Sequence, residues 1–366
     1  MLYMKLKIFT VILLLSSFSI YGQNDTSDTT QKVILITLDG FRWQELFGGV
    51  DSVLMESDKY TSGKDEIKSR FWRASKEESR KALMPFVWSK VEEIGQIHGN
   101  RNLGSKVDLV NKHWFSYPGY NEILSGIVDD ERIDSNNKIP NPNKTVLELA
   151  NEDERYRGKV AAFASWDVFP FIVNEERSGV PVNAGFELAK GDNLTKNELY
   201  LNKLQQATPS PWSTVRLDVF AHHFAIEYLQ KEKPNLVYIA YGETDDFAHN
   251  GDYDAYLKSA NVTDGFIKEL WDFVENDPYY KGQTTVIITT DHGRGTEPID
   301  TWRGHGASVN GADEVWIIAF GKGIKPEGEI QSNSQHYSNQ IAASVAKLLG
   351  ITFNQGGKAL DFIGRK

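Results

Sequence analysis

The sequence of 366 residues contains no cysteine. This absence excludes disulfide bonds, a lipid-anchored cysteine and thiolate metal ligands. A chain of this length can bury a large core, as one large domain or two moderate ones, so its stability does not require disulfides. Any metal site must therefore use histidine, carboxylate or hydroxyl side chains.

An excess of positive charge is also lacking. The sequence has 40 lysine and arginine residues against 50 aspartate and glutamate residues, and its formal net charge is -10. It shows no basic footprint of the kind that nucleic-acid-binding domains carry, so we expect no nucleic-acid binding. An anionic substrate would need a local source of positive charge, such as bound metal ions.

The chain has no apolar run long enough to span a membrane. Lys5 and Lys7 precede the apolar residues 8–15, and small and polar residues follow as far as Gly22. This pattern predicts a secretory signal peptide over residues 1–22, and the run is short for the alternative, a membrane anchor. We therefore expect a secreted or periplasmic protein without a stable membrane anchor.

Apolar strand patterns alternate with helical patterns after a polar leader predicted over residues 23–31. The predicted strands cover residues 32–38, 106–110, 159–164, 235–241, 284–290 and 314–320. The predicted helices cover about residues 83–97, 145–150, 216–231, 255–276 and 337–349. The alternation predicts an α/β fold, a doubly wound, mostly parallel sheet flanked by helices. The looser pattern of residues 169–213 predicts a small cap or insertion over the site.

A serine lies at one predicted strand-to-helix junction. Apolar residues recur at helical spacing from Tyr120 onwards, which places Ser116 at the start of a helix with Pro118 near its first turn. Free backbone N–H groups and the helix dipole favour an anionic substrate there. Taken alone, Ser116 is better explained as an ordinary N-cap residue.

Acidic and histidine residues follow the predicted strands in several places. These residues are Asp39, Asp245, His249, Asp291, His292 and His305. The carboxyl ends of parallel strands meet at one edge of a sheet, so we expect these side chains to converge. Carboxylate and imidazole groups suit zinc and other divalent ions. Two ions about 4 Å apart could clamp the attacking and leaving oxygens of an in-line displacement, with Ser116 as the nucleophile.

Together these motifs resemble the alkaline phosphatase superfamily, nearest its nucleotide pyrophosphatase/phosphodiesterase-like branch. The matching segments are Leu38–Arg42, Ser116–Pro118, Glu243–His249, Thr290–Gly293, Gly304–Gly306 and Gln340–Ile351. The resemblance covers roughly residues 32–362 in matched order, and it implies an alkaline-phosphatase-like catalytic domain over residues 32–366.

The resemblance implies an exported hydrolase of phosphoric esters that uses two divalent metal ions, zinc being favoured. One zinc would bind Asp39, Asp291, His292 and Ser116, and the second would bind Asp245, His249 and His305. Ser116 would be the nucleophile that becomes phosphorylated. The substrate would be a small-molecule, glycan or nucleotide ester.

The sequence departs from the phosphodiesterase branch beside the nucleophile. That branch mostly has threonine in place of Ser116, and it has a substrate-binding asparagine in place of Gly119. The preference between monoesters and diesters therefore stays open. Asn121 is a candidate replacement for the asparagine, and the candidate cationic groups for a monoester are Lys112, His113 and Arg303.

Two alternatives remain. Ser116 and Pro118 are similar to the sulfatase signature, but Tyr120 stands where that signature has arginine. A sulfatase-type hydrolase of sulfuric esters is the runner-up. A non-catalytic binding protein on the same scaffold is less favoured, because every metal-ligand position and the hydroxyl nucleophile are present.

Two adjacent histidines, His222 and His223, fall on the predicted helix over residues 216–231. Neighbouring side chains on a helix point in different directions. The pair therefore predicts packing or surface roles rather than a shared metal site.

Overall fold

The computed structural model describes residues 31–364. The signal peptide predicted over residues 1–22 and all but the last residue of the predicted leader lie outside the described residues. Within residues 31–364, no helix is both long enough and apolar enough to cross a membrane.

A mostly parallel sheet forms the centre of the fold. The strands are β1 (Lys32–Leu38), β2 (Gly95–His98), β3 (Ser105–Asp108), β4 (Val160–Ala164), β5 (Val182–Ala184), β6 (Leu236–Tyr241), β7 (Thr284–Thr289), β8 (Glu314–Val315), β9 (Ile317–Gly321), β10 (Gly328–Glu329) and β11 (Ser334–Tyr337). Eight of them form one sheet in the order β10-β2-β9-β7-β1-β6-β4-β5. Only β9 runs against its neighbours in that sheet. The predicted α/β fold is confirmed.

The helices cover both faces of this sheet. They are α1 (Trp43–Gly48), α2 (Ser52–Glu56), α3 (Lys64–Arg70), α4 (Lys76–Leu83), α5 (Glu92–Ile94), α6 (Ser116–Ser125), α7 (Val146–Glu152), α8 (Phe169–Ile172), α9 (Glu175–Ser178), α10 (Lys196–Ala207), α11 (Asp218–Glu232), α12 (Glu243–Asn250), α13 (Tyr253–Asn276) and α14 (Ile341–Leu349). Apolar residues of α11 and α13 pack in one core cluster, and those of α6, α7 and α14 pack in the other.

The central strands contribute side chains to both core clusters. In β1, Ile34 and Ile36 belong to the cluster beneath α11 and α13, whereas Val33 and Leu35 belong to the cluster on the opposite face. Successive side chains of a strand point to opposite faces, so a strand buried on both faces must be apolar throughout. This explains the unbroken apolar run of β1 and fixes it at the centre of the sheet.

Three segments differ from the sequence-based expectations. The helix predicted over residues 83–97 is confirmed only in its middle, where a π-helix over Val87–Val91 leads into α5. At its ends, α4 stops at Leu83, two residues before Pro85, and Gly95–His98 is strand β2. The strand before Ser116 is β3, which pairs with β11 and β8 in a separate sheet. Residues 169–213 contain the edge strand β5 as well as α8, α9 and α10, so this part of the predicted insertion extends the main sheet.

Candidate metal centre

The candidate site lies beyond the carboxyl ends of three adjacent strands. β1 lies between β6 and β7, with Leu38 paired to Tyr241 and Thr37 paired to Thr289. The strands therefore end at the same level, and the residues that follow them emerge side by side, where open α/β sheets hold their ligands.

The loops after these strands carry most of the predicted ligands. Asp39 follows β1 directly, and Asp291 and His292 follow β7. Asp245 and His249 lie on α12, which follows β6, and their spacing of four residues places them on one face of the helix. His305 comes from the loop after a 3-10 helix over Ile299–Arg303. The structure thus brings all six predicted ligands to one place.

The first group of side chains surrounds one imidazole nitrogen. His292 Nε2 lies 3.3 Å from Asp39 Oδ1 and 3.5 Å from Asp291 Oδ2. The hydroxyl oxygen of Ser116 lies 3.4 Å from the same nitrogen. Ligand-type atoms of Asp39, Asp291 and His292 all lie within 4.8 Å of one another, which is close enough for a single ion.

The second group adjoins the first through Asp245. His249 Nε2 lies 3.2 Å from Asp245 Oδ2 and 3.0 Å from His305 Nε2. Asp245 Oδ1 lies 3.7 Å from His305 Nε2 and 3.6 Å from His292 Nε2. Ligand-type atoms of Asp245, His292 and His305 also fall within 4.8 Å of one another. His292 therefore lies at the boundary between two ligand groups.

The electrostatics of the cluster fit divalent cations. Asp39 Oδ1 and Asp291 Oδ2 are buried and have no hydrogen-bond partner. Burial raises the pKa of both carboxyls well above the ordinary value, and repulsion between neighbouring carboxylates adds to the shift. Burial lowers the pKa of His292 to about 4 and that of His305 to about 2. Neutral imidazoles beside carboxylate oxygens without partners form a donor set that suits zinc.

Hydrogen bonds behind the cluster fix the orientation of its members. The Tyr120 hydroxyl donates a 2.8 Å hydrogen bond to Asp39 Oδ2. His292 Nδ1 lies 2.9 Å from the carbonyl oxygen of Gly293, so it can donate its proton there and leave the Nε2 lone pair directed at the carboxylates. Such outer contacts fix the ring tautomer and strengthen a metal ligand.

Arg294 is a member of the site that the sequence analysis missed. Its guanidinium is fully buried, forms an ion pair with Asp245 and donates a 3.1 Å hydrogen bond to the carbonyl oxygen of Gly40. Burial acts to raise the pKa of Asp245, but Arg294 and the neighbouring histidines outweigh it and hold that pKa well below the ordinary value. In the sequence, the only feature that pointed to Arg294 was its position directly after the Asp-His-Gly motif.

Ser116 is the first residue of α6, and its hydroxyl does not cap that helix. The N-cap is Phe115, so the ordinary N-cap explanation of Ser116 is wrong. The preceding Trp114 adopts a φ of 52°, a left-handed conformation that is unfavourable for a bulky side chain. Asn111 holds this turn by accepting the Trp114 N–H and donating its own side-chain amide to Glu122 of α6.

Two glycines permit the close packing around the ligands. A Cβ atom on Gly119 would lie 2.2 Å from the carbonyl oxygen of Asp291, so α6 can approach the Asp291 loop only without a side chain there. Gly40 has a φ of 57°, and a Cβ atom on it would lie 2.8 Å from Asp245 Oδ1. Gly119 therefore sets how closely α6, which begins with Ser116, approaches Asp291, and Gly40 sets how closely the segment after β1 approaches Asp245.

The predicted substrate-binding residues have different environments. Asn121 is buried, donates to the carbonyl oxygen of Ile127 and accepts from Asn143, so its side chain braces the loop after α6. The side chain of Lys112 is exposed, four residues before Ser116. Arg303 is also exposed and donates a 2.7 Å hydrogen bond to the carbonyl oxygen of His249.

The fourth candidate, His113, lies in the loop before Ser116. Its Nε2 is 2.9 Å from the carbonyl oxygen of Asp130. The ring is half-buried, and its centroid lies 5.5 Å from that of Phe115. This environment holds the loop against the segment after α6.

Comparison with known proteins agrees with this arrangement. Residues 221–352 match the model of the Metalloenzyme superfamily, a family that implies a divalent metal cofactor. No curated protein sequence matches the chain. The matched segment contains five of the six predicted ligands, since only Asp39 lies outside it.

Solved structures with a similar fold include an alkaline phosphatase, a lipoteichoic acid synthase, a pyrophosphatase/phosphodiesterase and a sulfatase. The alkaline phosphatase PafA has 11% sequence identity and a TM-score of 0.60, with 91% of this chain and 99% of that chain covered. The lipoteichoic acid synthase LtaP from Listeria monocytogenes has 11% identity and a TM-score of 0.58, with 92% and 77% covered. Murine ectonucleotide pyrophosphatase/phosphodiesterase 5, in complex with AMP, has 12% identity and a TM-score of 0.55, with 90% and 97% covered. The fold is alkaline-phosphatase-like, and the resemblance to that superfamily is confirmed.

Proposed function

We propose that this chain, which has the fold of the alkaline phosphatase superfamily, hydrolyses phosphoric esters with Ser116 as its nucleophile and two divalent metal ions as cofactors. The observation that carries the proposal is the position of the Ser116 hydroxyl. Its oxygen lies 3.4 Å from His292 Nε2, beside buried carboxylate oxygens that have no hydrogen-bond partner.

The residues divide between two ion sites in this proposal. Asp39, Asp291 and His292 would hold the ion nearest Ser116, and Asp245, His249 and His305 would hold the other. When bound, the two ions supply positive charge for the attacking and leaving oxygens of a phosphoryl group. Zinc is favoured because its usual ligands are imidazole nitrogens and carboxylate oxygens in small numbers.

The chain's own residues position the reacting serine. Ser116 opens α6, where free backbone N–H groups and the positive end of the helix dipole favour an anionic phosphoryl group. The Ser116 oxygen gives up its proton and bonds to phosphorus while the bond from phosphorus to the leaving oxygen breaks, and that oxygen takes up a proton and departs as the alcohol. Water then attacks phosphorus, which releases inorganic phosphate from a monoester and regenerates the serine hydroxyl.

The exposed lysine and arginine side chains near the site bear on whether the preferred substrate is a phosphate monoester or a diester. A phosphate monoester carries more negative charge than a diester, and Lys112 and Arg303 are the candidate groups that would bind it. Arg303 donates a hydrogen bond to the backbone of a proposed ligand, His249, so it lies close to the second ion site. The side chain of Asn121 is bound to Ile127 and Asn143, which makes Asn121 a weaker candidate to replace the family asparagine.

The sulfatase alternative receives less support from the contacts of Tyr120. This residue stands where the sulfatase signature has arginine, and here its hydroxyl donates to the proposed ligand Asp39. The non-catalytic alternative offers no reason for a strained turn that brings a serine hydroxyl to the carboxylate cluster.

The test is steady-state hydrolysis of three nitrophenyl esters by the zinc-loaded protein: a phosphate monoester, a phosphate diester and a sulfate ester. We expect turnover of a phosphate ester, and we expect its loss in His305→Ala with the fold retained. A dominant sulfate rate would overturn the proposal, as would full phosphate-ester turnover in His305→Ala. The ratio of monoester to diester rates then identifies the preferred class.

A further inference from the structure

A second histidine and carboxylate cluster lies between two helices that cover the sheet. His222 and His223 are adjacent on α11, and Glu269 is on α13. One ligand-type atom from each residue lies within 4.8 Å of the other two. The sequence pattern predicts packing or surface roles for the two histidines, and the structure places both rings near the same carboxylate group.

We propose that His222, His223 and Glu269 form a third metal site, which binds a zinc-type divalent ion and joins α11 to α13. The site shares no residue with the two ion sites proposed above. It does not depend on the proposed esterase function.

The distances suit coordination better than direct hydrogen bonding. His222 Nε2 lies 3.6 Å from Glu269 Oε2, and His223 Nδ1 lies 4.0 Å from Glu269 Oε1. Neither separation is a hydrogen bond. Bonds of about 2.0–2.1 Å in a tetrahedral zinc site place neighbouring ligand atoms about 3.3 Å apart. Small side-chain movements would bring the three groups to that spacing.

The buried histidine supplies independent support. His222 is fully buried, and its Nε2 atom has no hydrogen-bond partner although it faces the Glu269 carboxylate. A buried ring nitrogen without a partner is unfavourable, and a bound cation would satisfy its lone pair. This nitrogen therefore points to a ligand rather than to simple packing.

Neighbouring groups hold the His222 ring in the orientation of a metal ligand. Its Nδ1 atom shares a 2.9 Å hydrogen bond with the hydroxyl of Tyr241, and its ring stacks on Phe266 with centroids 4.3 Å apart. Contacts of this kind to the second ring nitrogen are typical of histidines that bind metals. Burial also lowers the pKa of His222, which keeps its ring neutral.

The other two residues leave the site open to solvent. The side chain of Glu269 is 52% exposed and that of His223 is 35% exposed. An ion can therefore enter from solvent, and water can complete its coordination. Because Tyr241 ends β6, the strand that leads to Asp245, the ion would tie α11 and α13 together beside the strand that supports the main site.

The test is equilibrium dialysis of the full protein against Zn²⁺, with zinc counted per chain, for wild type, His223→Gln and Glu269→Gln. These variants change only the exposed partners, so the buried His222 stays in place. Glu275→Gln, on the same helix α13 and outside the cluster, is the matched control. We expect each cluster variant to lose one zinc per chain or to bind it at least tenfold more weakly, and we expect the control to match wild type.

A double substitution, Asp291→Asn with His292→Asn, separates this site from the main one. This background keeps the ligands Asp245, His249 and His305, so we expect two zinc ions per chain to remain and to raise the thermal midpoint, and we expect one of them to be lost when Glu269→Gln is added. Wild-type zinc stoichiometry and affinity in both His223→Gln and Glu269→Gln would overturn the proposal, whatever the outcome at the main site.

Discussion

The hydroxyl of Tyr120 donates a 2.8 Å hydrogen bond to Asp39 Oδ2. This bond connects the helix that begins with Ser116 to the first residue after the central strand β1. This bond therefore fixes the position of the proposed nucleophile relative to a proposed ligand of the adjacent ion. The other oxygen of Asp39 is left without a hydrogen-bond partner and is free to bind a cation.

Loss of the Tyr120 hydroxyl should weaken metal binding at Asp39. We expect Tyr120→Phe to reduce zinc affinity or turnover by about 10–100-fold, which is the usual effect of removing a contact behind a metal ligand. Zinc titration and steady-state kinetics measure the two effects. Tyr117→Phe on the same helix is the control, since its hydroxyl donates to the carbonyl oxygen of Ile139. Equal zinc affinity and turnover in Tyr120→Phe and wild type would contradict the role assigned to this bond.

Arg294 should stabilise the protein most when no metal is bound. Its buried guanidinium forms an ion pair with Asp245, and removal of one partner from a buried pair costs about 3–5 kcal/mol. We expect Arg294→Met to lower the unfolding free energy of the metal-free protein by about that amount, and we expect zinc to restore part of it. Urea unfolding with and without zinc measures both. Arg303 is exposed, so we expect the unfolding free energy of Arg303→Met to stay within about 0.5 kcal/mol of the wild-type value. Similar losses of unfolding free energy in Arg294→Met and Arg303→Met would contradict the prediction.

A side chain at position 119 should displace α6 from the metal centre. The Cβ atom of Gly119→Ala would lie 2.2 Å from the Asp291 carbonyl oxygen. We expect a stability loss of about 1–3 kcal/mol from overpacking and a fall in turnover of about 100-fold, because Ser116 moves with the helix. Gly265→Ala on α13 meets nothing within 4 Å and is the matched control. Turnover and stability in Gly119→Ala equal to those of the control would refute this packing argument.

Stability should fall in acid because of His98, which lies on β2 and stacks on Phe362 with ring centroids 4.0 Å apart. Burial lowers the pKa of His98 to about 3, from an ordinary value of 6.5. Between these values the unfolded chain binds a proton that the folded chain does not. His98 therefore leaves stability unchanged above pH 6.5 and reduces it by about 1.4 kcal/mol per pH unit as the pH falls towards 3.

His98→Phe keeps an aromatic ring against Phe362 and removes the titrating group. Chemical unfolding across this pH range measures the slope of the unfolding free energy for each protein. We expect a shallower slope in the variant. An unchanged slope would show that other groups cause the acid sensitivity.

The main features of the sheet could be predicted because its central strands are buried on both faces. Such strands require unbroken apolar runs, and the residues that follow β1, β6 and β7 are the ones that converge. Short strands and helices have weaker sequence patterns. β2 has four residues, of which Ile97 alone has a large apolar side chain, and it directly follows a helical segment, so it has no strand pattern of its own. The helix α4 is rich in charged residues and has little of the apolar periodicity that identifies a helix.

The remaining members of the site depend on contacts that are distant in sequence. Arg294 pairs with Asp245 across 49 residues, and Glu269 reaches His222 from another helix. Neither pairing follows from local pattern, because only the packing of separate elements decides which side chains meet. The approach of α6 to Asp291 likewise explains Gly119, which the sequence shows only as a departure from a family motif.

The most direct test of the account is acid quenching of the zinc-loaded protein during turnover of a phosphate ester, followed by mass spectrometry of the peptide that contains Ser116. We expect a phosphoryl group on Ser116 in the wild-type protein, and we expect that Ser116→Ala neither forms this adduct nor turns over the ester. Undiminished turnover in Ser116→Ala, or a phosphoryl group on a different residue, would contradict this expectation.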